Sequence, residues 1–165
     1  MDYLWTPWRY GYITQNVNRP GERAECIFCA AAALGNDREA LIVHRAKWNF
    51  IIVNRFPYTS GHVMVVPYEH APSLESFSDD TLTETILLAR RCERKLRAIY
   101  SPDGLNVGIN LGKSAGAGVA DHLHVHVLPR WTGDTSFMTV VAETRILPEE
   151  TAITWERLHE AFLTP

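Results

Sequence analysis

The chain has 165 residues, of which 46% are hydrophobic and 21% charged, with a formal net charge of −3; this suits one domain with a substantial core and excludes a disordered polyampholyte. So small a negative charge supplies no basic field for nucleic acid, and no apolar run is long enough for a signal peptide core or a membrane span. Three cysteines without an export signal argue against a disulfide scaffold, so the expected address is the cytoplasm.

A single domain over 1–165 is the simplest organisation. Residues 1–25 form an arm carrying Tyr3, Trp5, Trp8, Tyr10 and Tyr12 among turn formers, laid over the core or against a second subunit. The pair Cys26-Ile27-Phe28-Cys29 follows, then a short helix over Ala30–Leu34 stopped by Gly35. Three apolar strands are predicted next: Ala40–Val43, Phe50–Val53 and Gly61–Val66, the last two joined by a turn through Pro57 and Gly61. Thr81–Tyr100 is the clearest helix, with Thr81 and Glu84 in capping-box spacing. Its buried stripe is expected at Leu82, Ile86, Ala89, Leu96 and Ile99, with Cys92 near it as a small core residue. Arg90, Glu93, Arg94, Lys95 and Arg97 are expected to face solvent. Leu105–Asn110 reads as a strand, Gly112–Gly118 as a glycine-rich loop, and His122–Leu128 as a strand ending near Pro129. The tail 148–165 contains a helix from Pro148 to Leu163 that packs through Trp155, Leu158, His159 and Phe162. Short strands without regular strand–helix alternation make an α+β fold with a largely antiparallel sheet.

Three histidines alternate with apolar residues in His122-Leu123-His124-Val125-His126-Val127-Leu128. A β-strand sends alternate side chains to one face, so the imidazoles share a side while Leu123, Val125 and Val127 pack on the other. Crowding imidazoles costs desolvation and repulsion, which a bound metal or anion would offset. Cys26 and Cys29 have the spacing of a zinc knuckle, and His70 and His122 would complete a tetrahedral Cys2His2 set. With all four positions taken by protein, such zinc is structural. His124 and His126 then remain for an anion pocket, with Asn110, Lys113, Ser114, Gly116 and Gly118 suited to approach phosphate oxygens. The loop lacks the P-loop pattern. A histidine attacks phosphorus when one ring nitrogen is unprotonated and the other held by an acceptor. His124, flanked on both sides, fits the nucleophile; His126 fits the donor to a phosphate or leaving oxygen. No carboxylate cluster suggests a protein-bound magnesium, although magnesium can arrive with a substrate, and no organic cofactor is implied. Phe28, Trp48 and Phe50 are candidates to sandwich a base, although a place in the core is the favoured reading of each.

This constellation resembles the histidine triad family of nucleotide hydrolases and transferases, whose hallmark His-φ-His-φ-His-φ-φ is matched by His122 through Leu128. The resemblance extends to Asn54-Arg55, Gly61-His62 through Pro67, Asn110 with the glycine loop, and Pro129-Arg130-Trp131. Leu4-Trp5-Thr6-Pro7-Trp8-Arg9 and Gly133-Asp134-Thr135-Ser136-Phe137-Met138 look like the branch acting on dinucleoside polyphosphates, including bacterial diadenosine tetraphosphate phosphorylases.

The resemblance implies a five-stranded antiparallel sheet with helices, and a homodimer whose sheets join. It implies nucleotidylation of His124 on the α-phosphate, with His126 assisting, and a zinc set of Cys26, Cys29, His70 and His122. It implies substrate contacts at Asn54, His62, Asn110 and the loop Ser114, Gly116, Ala117 and Gly118. Gly118 stands where phosphorylase-like members commonly carry serine, leaving only a backbone N–H; a lost hydroxyl contact is worth about 1–2 kcal/mol. The leading expectation is therefore cleavage of a phosphoanhydride in a dinucleoside polyphosphate or related adenosine nucleotide, resolved by water or phosphate. A phosphoramidate hydrolase and a non-catalytic zinc-stabilised nucleotide-binding module are the alternatives, and neither nucleic acid nor membrane is an expected partner.

Overall fold

The computed structural model describes residues 26–135 and 149–164. The amino-terminal arm and Ser136-Phe137-Met138, together with Pro148, lie outside them. Elements follow in the order α1 (Ile27–Ala33), α2 (Asp37–Ala40), β1 (Ile42–Arg45), β2 (Asn49–Val53), β3 (Val63–Pro67), α3 (Asp79–Tyr100), β4 (Gly104–Ile109), β5 (Val125–Arg130) and α4 (Thr151–Leu163), with single 3-10 turns at Leu74–Ser76 and Lys113–Ala115. The five strands form one sheet in the order β1-β2-β3-β5-β4, and every pairing is antiparallel. The expected α+β architecture with one long helix is what the chain adopts.

The near-continuous apolar runs of β2 and β3 follow from burial on both faces. Ile51, Val53, Val63, Val65, Val125 and Val127 face α3 and α4 and pack with Leu88, Cys92, Leu96, Trp155, Leu158 and Phe162. Phe50, Ile52, Met64 and Val66 face the opposite way, onto Phe28 of α1 and Ala40. The catalytic candidates lie on this second face.

Several boundaries differ from expectation for local reasons. The first strand starts at Ile42, because Ala40 ends α2 and Leu41 turns the chain with φ of 62°. The short helix begins at Ile27, so it carries Cys29 as well as Phe28. The long helix is capped by Ser78, whose hydroxyl accepts from the Thr81 amide at 3.2 Å, with Asp79 and Asp80 in the first turn opposing its dipole. Thr81 and Glu84 therefore form no capping box. Glu84 instead accepts from the Lys47 and Trp48 amides at 3.1 and 2.7 Å and from Asn49 Nδ2 at 2.9 Å, tying α3 to the β1–β2 turn.

The inward stripe of α3 is also rotated from the expected one. Thr81, Thr85, Leu88, Ala89, Cys92, Lys95 and Leu96 are buried, while Ile86 is 62% exposed. Lys95, expected in solvent, is buried with its ammonium donating to the Thr164 carbonyl at 3.1 Å. Cys92 is a core residue as expected, and burial pushes its thiol up to about 12. The carboxy-terminal helix starts at Thr151 and buries Trp155, Leu158 and Phe162, with His159 stacked on Trp155.

Candidate active site and metal centre

The histidine run enters the sheet at Val125, three residues later than its alternation predicts. Strand β3 stops pairing with β5 at Val65↔Val125, and the residues before Val125 turn to the segment that follows β3. The Leu123 amide donates to the Ala71 carbonyl at 2.8 Å, and His122 Nε2 donates to the Pro67 carbonyl at 2.9 Å. That departure brings His122 beside His70. The alternation itself survives: Leu123 packs with Ala71 and Phe77, Val125 and Val127 with the long helix, and the imidazoles on the side of Phe28. Ring centroids of His124 and His126 lie 4.8 Å apart.

Cys26, Cys29, His70 and His122 converge, each offering a ligand atom within 4.8 Å of the others. His122 Nδ1 lies 3.3 Å from Cys26 Sγ, 3.6 Å from Cys29 Sγ and 3.1 Å from His70 Nδ1; Cys29 Sγ is 3.4 Å from His70 Nδ1. A tetrahedron with zinc–sulfur bonds near 2.3 Å and zinc–nitrogen bonds near 2.0–2.1 Å has ligand–ligand edges of about 3.3–3.8 Å. The observed spacings match those edges to within a few tenths of an ångström. A carbonyl can only accept, so His122 carries its proton on Nε2 and turns the Nδ1 lone pair toward the thiols, as a metal-ligating histidine does when a backbone carbonyl holds its other ring nitrogen. Burial, aided by His70 and His124, holds the His122 imidazole below its usual range despite the Pro67 contact. The donor set fits zinc, and with four protein ligands it leaves no open coordination position.

His124 is 4% exposed, and its Nδ1 donates to the His122 carbonyl at 2.9 Å. The unprotonated nitrogen is therefore Nε2. Burial keeps this imidazole below its ordinary pKa, with the carbonyl contact opposing the shift, so the neutral nucleophilic form prevails at neutral pH.

His126 is oriented by a different chain of hydrogen bonds. The Tyr58 amide donates to His62 Nδ1 at 3.1 Å, so neutral His62 carries its proton on Nε2, which meets His126 Nδ1 at 2.9 Å. His126 then holds its own proton on Nε2, as a donor. Asn54 Nδ2 lies 3.3 Å from His62 Nδ1, and Asn54 Oδ1 accepts from the Phe56 amide at 3.0 Å. His62 is completely buried, with its Nε2 on His126. Gly61 supplies the turn into it: its φ is +79°, and a Cβ there would stand 2.9 Å from Tyr100 Cε2 and 3.2 Å from Pro129 Cγ. Tyr58, which sequence reasoning treated only as part of a turn, also lays its ring 6.1 Å from that of His126; the Pro57-Tyr58 step four residues before His62 was its only local signal.

The glycine loop lies between β4 and β5, with Ser114, Gly116 and Gly118 exposed and Asn110 and Ala117 half-buried. The Ala115, Gly116 and Ala117 amides donate to Lys113 and Gly112 carbonyls at 2.9–3.3 Å. These bonds curl the loop on itself, made possible by positive φ at Gly112 and Gly116. Of the three base-stacking candidates, Phe28 and Phe50 are buried to 2% and 0% exposure, while Trp48 is exposed beside the β1–β2 turn.

Comparison with known proteins bears on the same residues. The HIT domain matches residues 36–133. An AP-4-A phosphorylase of Mycobacterium tuberculosis is 38% identical over 88% of this chain and 76% of its own length. A bis(5'-nucleosyl)-tetraphosphatase (asymmetrical) of Schizosaccharomyces pombe is 33% identical over 58% of this chain and 52% of its own. Among solved structures, a zinc-bound histidine triad family protein from Mycobacterium smegmatis superposes with a TM-score of 0.67 at 27% identity, covering 84% of this chain and 94% of that one.

Proposed function

This chain belongs to the HIT domain family, and from that premise we propose that it cleaves a phosphoanhydride of a dinucleoside polyphosphate through a nucleotidyl-histidine intermediate. The observation that carries the proposal is the opposed protonation of neighbouring rings: His124 presents a lone pair at Nε2, and His126 presents an N–H at Nε2. His124 Nε2 attacks the α-phosphorus, a nitrogen–phosphorus bond forms, and the bond to the bridging oxygen breaks. His126 donates a hydrogen bond from Nε2 to the departing oxygen, which leaves as a phosphate anion carrying the bonding electron pair. Water or inorganic phosphate next attacks the same phosphorus from the vacated side; the nitrogen–phosphorus bond breaks, its electron pair returns to His124, a nucleoside monophosphate or diphosphate leaves, and the proton of an attacking water passes to solvent.

The remaining residues position this chemistry. His62 and the Tyr58 amide hold the His126 tautomer, while Asn54 steadies His62 and borders the sugar. Asn110, Ser114 and the Gly116–Gly118 stretch border the phosphates, as the family resemblance implies, and any magnesium comes with the substrate. Zinc held by Cys26, Cys29, His70 and His122 supplies folding free energy, fastening α1 to the start of the histidine run. Edge strand β4, with Val107 53% exposed, supports a homodimer whose sheets join, and the chain's chemistry fits a cytoplasmic nucleotide pool.

Product analysis with labelled diadenosine tetraphosphate, with and without inorganic phosphate, tests the reading. Asymmetric cleavage is expected: adenosine triphosphate appears with adenosine monophosphate from water, or with adenosine diphosphate from phosphate. Cleavage into two diphosphates without added phosphate, or binding without turnover, would overturn it.

A further inference from the structure

Phe28 sits between the two cysteines of the metal knuckle, on the helix that begins at Ile27. It is 2% exposed. Its ring centroid lies 5.0 Å from that of His124 at an interplanar angle of 48°, and 5.4 Å from that of His122 in an edge-on arrangement. On its far side it packs with Ile42, Phe50, Ile52, Met64 and Val66. So thoroughly enclosed a ring has no face left to stack on a base.

Among the described residues, the polar anchor of His124 is the hydrogen bond from Nδ1 to the His122 carbonyl. A single hydrogen bond fixes one edge of an imidazole and leaves its plane free to swing about that bond. A second contact, not collinear with the first, is needed to aim Nε2. Two rings flank the imidazole, His126 edge-on at 4.8 Å and Phe28 at 5.0 Å; Phe28 is the apolar one, and its own position is set by the sheet beneath it and by Cys29, the next residue in the chain. We propose that Phe28 is a positioning residue for His124, holding the plane of the nucleophilic ring and coupling it to the metal knuckle. The inference rests on the reading of His124 as nucleophile and adds a residue that acts on the reaction without touching substrate.

The test compares Phe28→Leu with Phe50→Leu. Phe50 belongs to the same buried cluster and is 0% exposed, but its ring neighbour is Tyr68 at 5.2 Å. Three quantities are measured for each protein: zinc per chain, KM for diadenosine tetraphosphate, and the single-turnover rate of nucleotidyl transfer to His124. For Phe28→Leu the expected result is full zinc content, KM within about threefold of wild type, and a transfer rate lower by about tenfold to a hundredfold, the scale of a misaimed reacting group. For Phe50→Leu the transfer rate stays within about threefold of wild type. Equal losses in both variants would reduce Phe28 to ordinary packing and overturn the inference. A raised KM with unchanged transfer would make it a binding contact and overturn it as well. If Phe28→Leu fails to fold, Phe28→Met, which nearly conserves volume, carries the same comparison. A wild-type protein that forms no adduct defeats the nucleophile reading itself, whereas a wild-type adduct formed equally fast by the variant defeats only the role of Phe28.

Discussion

The two histidines to which the proposed mechanism gives opposite jobs are held by opposite partners, His124 by an acceptor and His126 by a donor. The His122 carbonyl accepts a hydrogen bond from His124 Nδ1, whereas His126 Nδ1 accepts one from His62 Nε2. Tautomer choice, and not residue type, separates the proposed nucleophile from the proposed donor. The same residue-level reasoning applies away from the site at His44, whose Nε2 accepts from Arg91 at 3.0 Å and whose ring stacks on Phe162. Burial, then Arg91, holds His44 below its ordinary value, with Glu84 opposing. The unfolded chain thus binds the proton more readily than the folded one. The neutral-His44 contribution to stability is fully present above the unfolded value, about 6.5, and is lost as pH falls through the lower folded value. Urea midpoints at pH 7.5 and 5.5 should show a smaller loss for His44→Gln than for wild type. Other buried histidines titrate in parallel, so the difference between the two proteins is the quantity to read; identical losses would contradict the assignment.

At the scale of elements, α1 and the segment after β3 meet the histidine run through the four metal-directed side chains, through Phe28, and through the Leu123–Ala71 and His122–Pro67 hydrogen bonds. Removing the metal should therefore loosen this end of the domain while leaving the α3 core standing. A ligand held a thousandfold above its dissociation constant stabilises by about 4 kcal/mol, which for a chain of this size is about 10 °C in Tm. Chelation and Cys29→Ser are each expected to lower Tm by roughly that amount, with zinc released or absent by direct metal analysis. An unchanged Tm would contradict the fit of the donor set.

The elements also show what a sequence makes legible. Strands β2 and β3 could be read because their apolar runs are continuous, and the histidine face because its period of two persists through the bend before Val125. The helix cap could not be chosen correctly from Thr81 and Glu84, since Glu84 is drawn into the β1–β2 turn by amides more than thirty residues earlier in the chain. The α3 stripe failed for a related reason. Thr85 is buried because its hydroxyl meets Asn49 Oδ1 at 2.9 Å, and Lys95 because it meets Thr164. Hydropathy sees neither partner. At the site, the convergence of Cys26, Cys29, His70 and His122 and the shared side of His124 and His126 were readable from spacing. The buried depth of His62 and the contact of Phe28 with His124 were not, since both depend on how α1 and the 54–62 turn close over the sheet.

As a whole, the molecule uses the two faces of one sheet for different ends. The face toward α3 and α4 holds the larger apolar cluster. The other carries the metal knuckle, Phe28 and the imidazoles, so chemistry sits where polar groups are already satisfied by backbone carbonyls. No helix among the described residues is long and apolar enough to cross a membrane. The account as a whole stands on covalent bonding between substrate phosphorus and His124. Rapid quench of the protein with diadenosine tetraphosphate, followed by mass analysis of the peptide spanning His122 to Arg130, measures this directly. An acid-labile adenylyl group on His124, absent in His124→Asn, is the predicted result; undiminished turnover by His124→Asn, or an adduct on another residue, would contradict it.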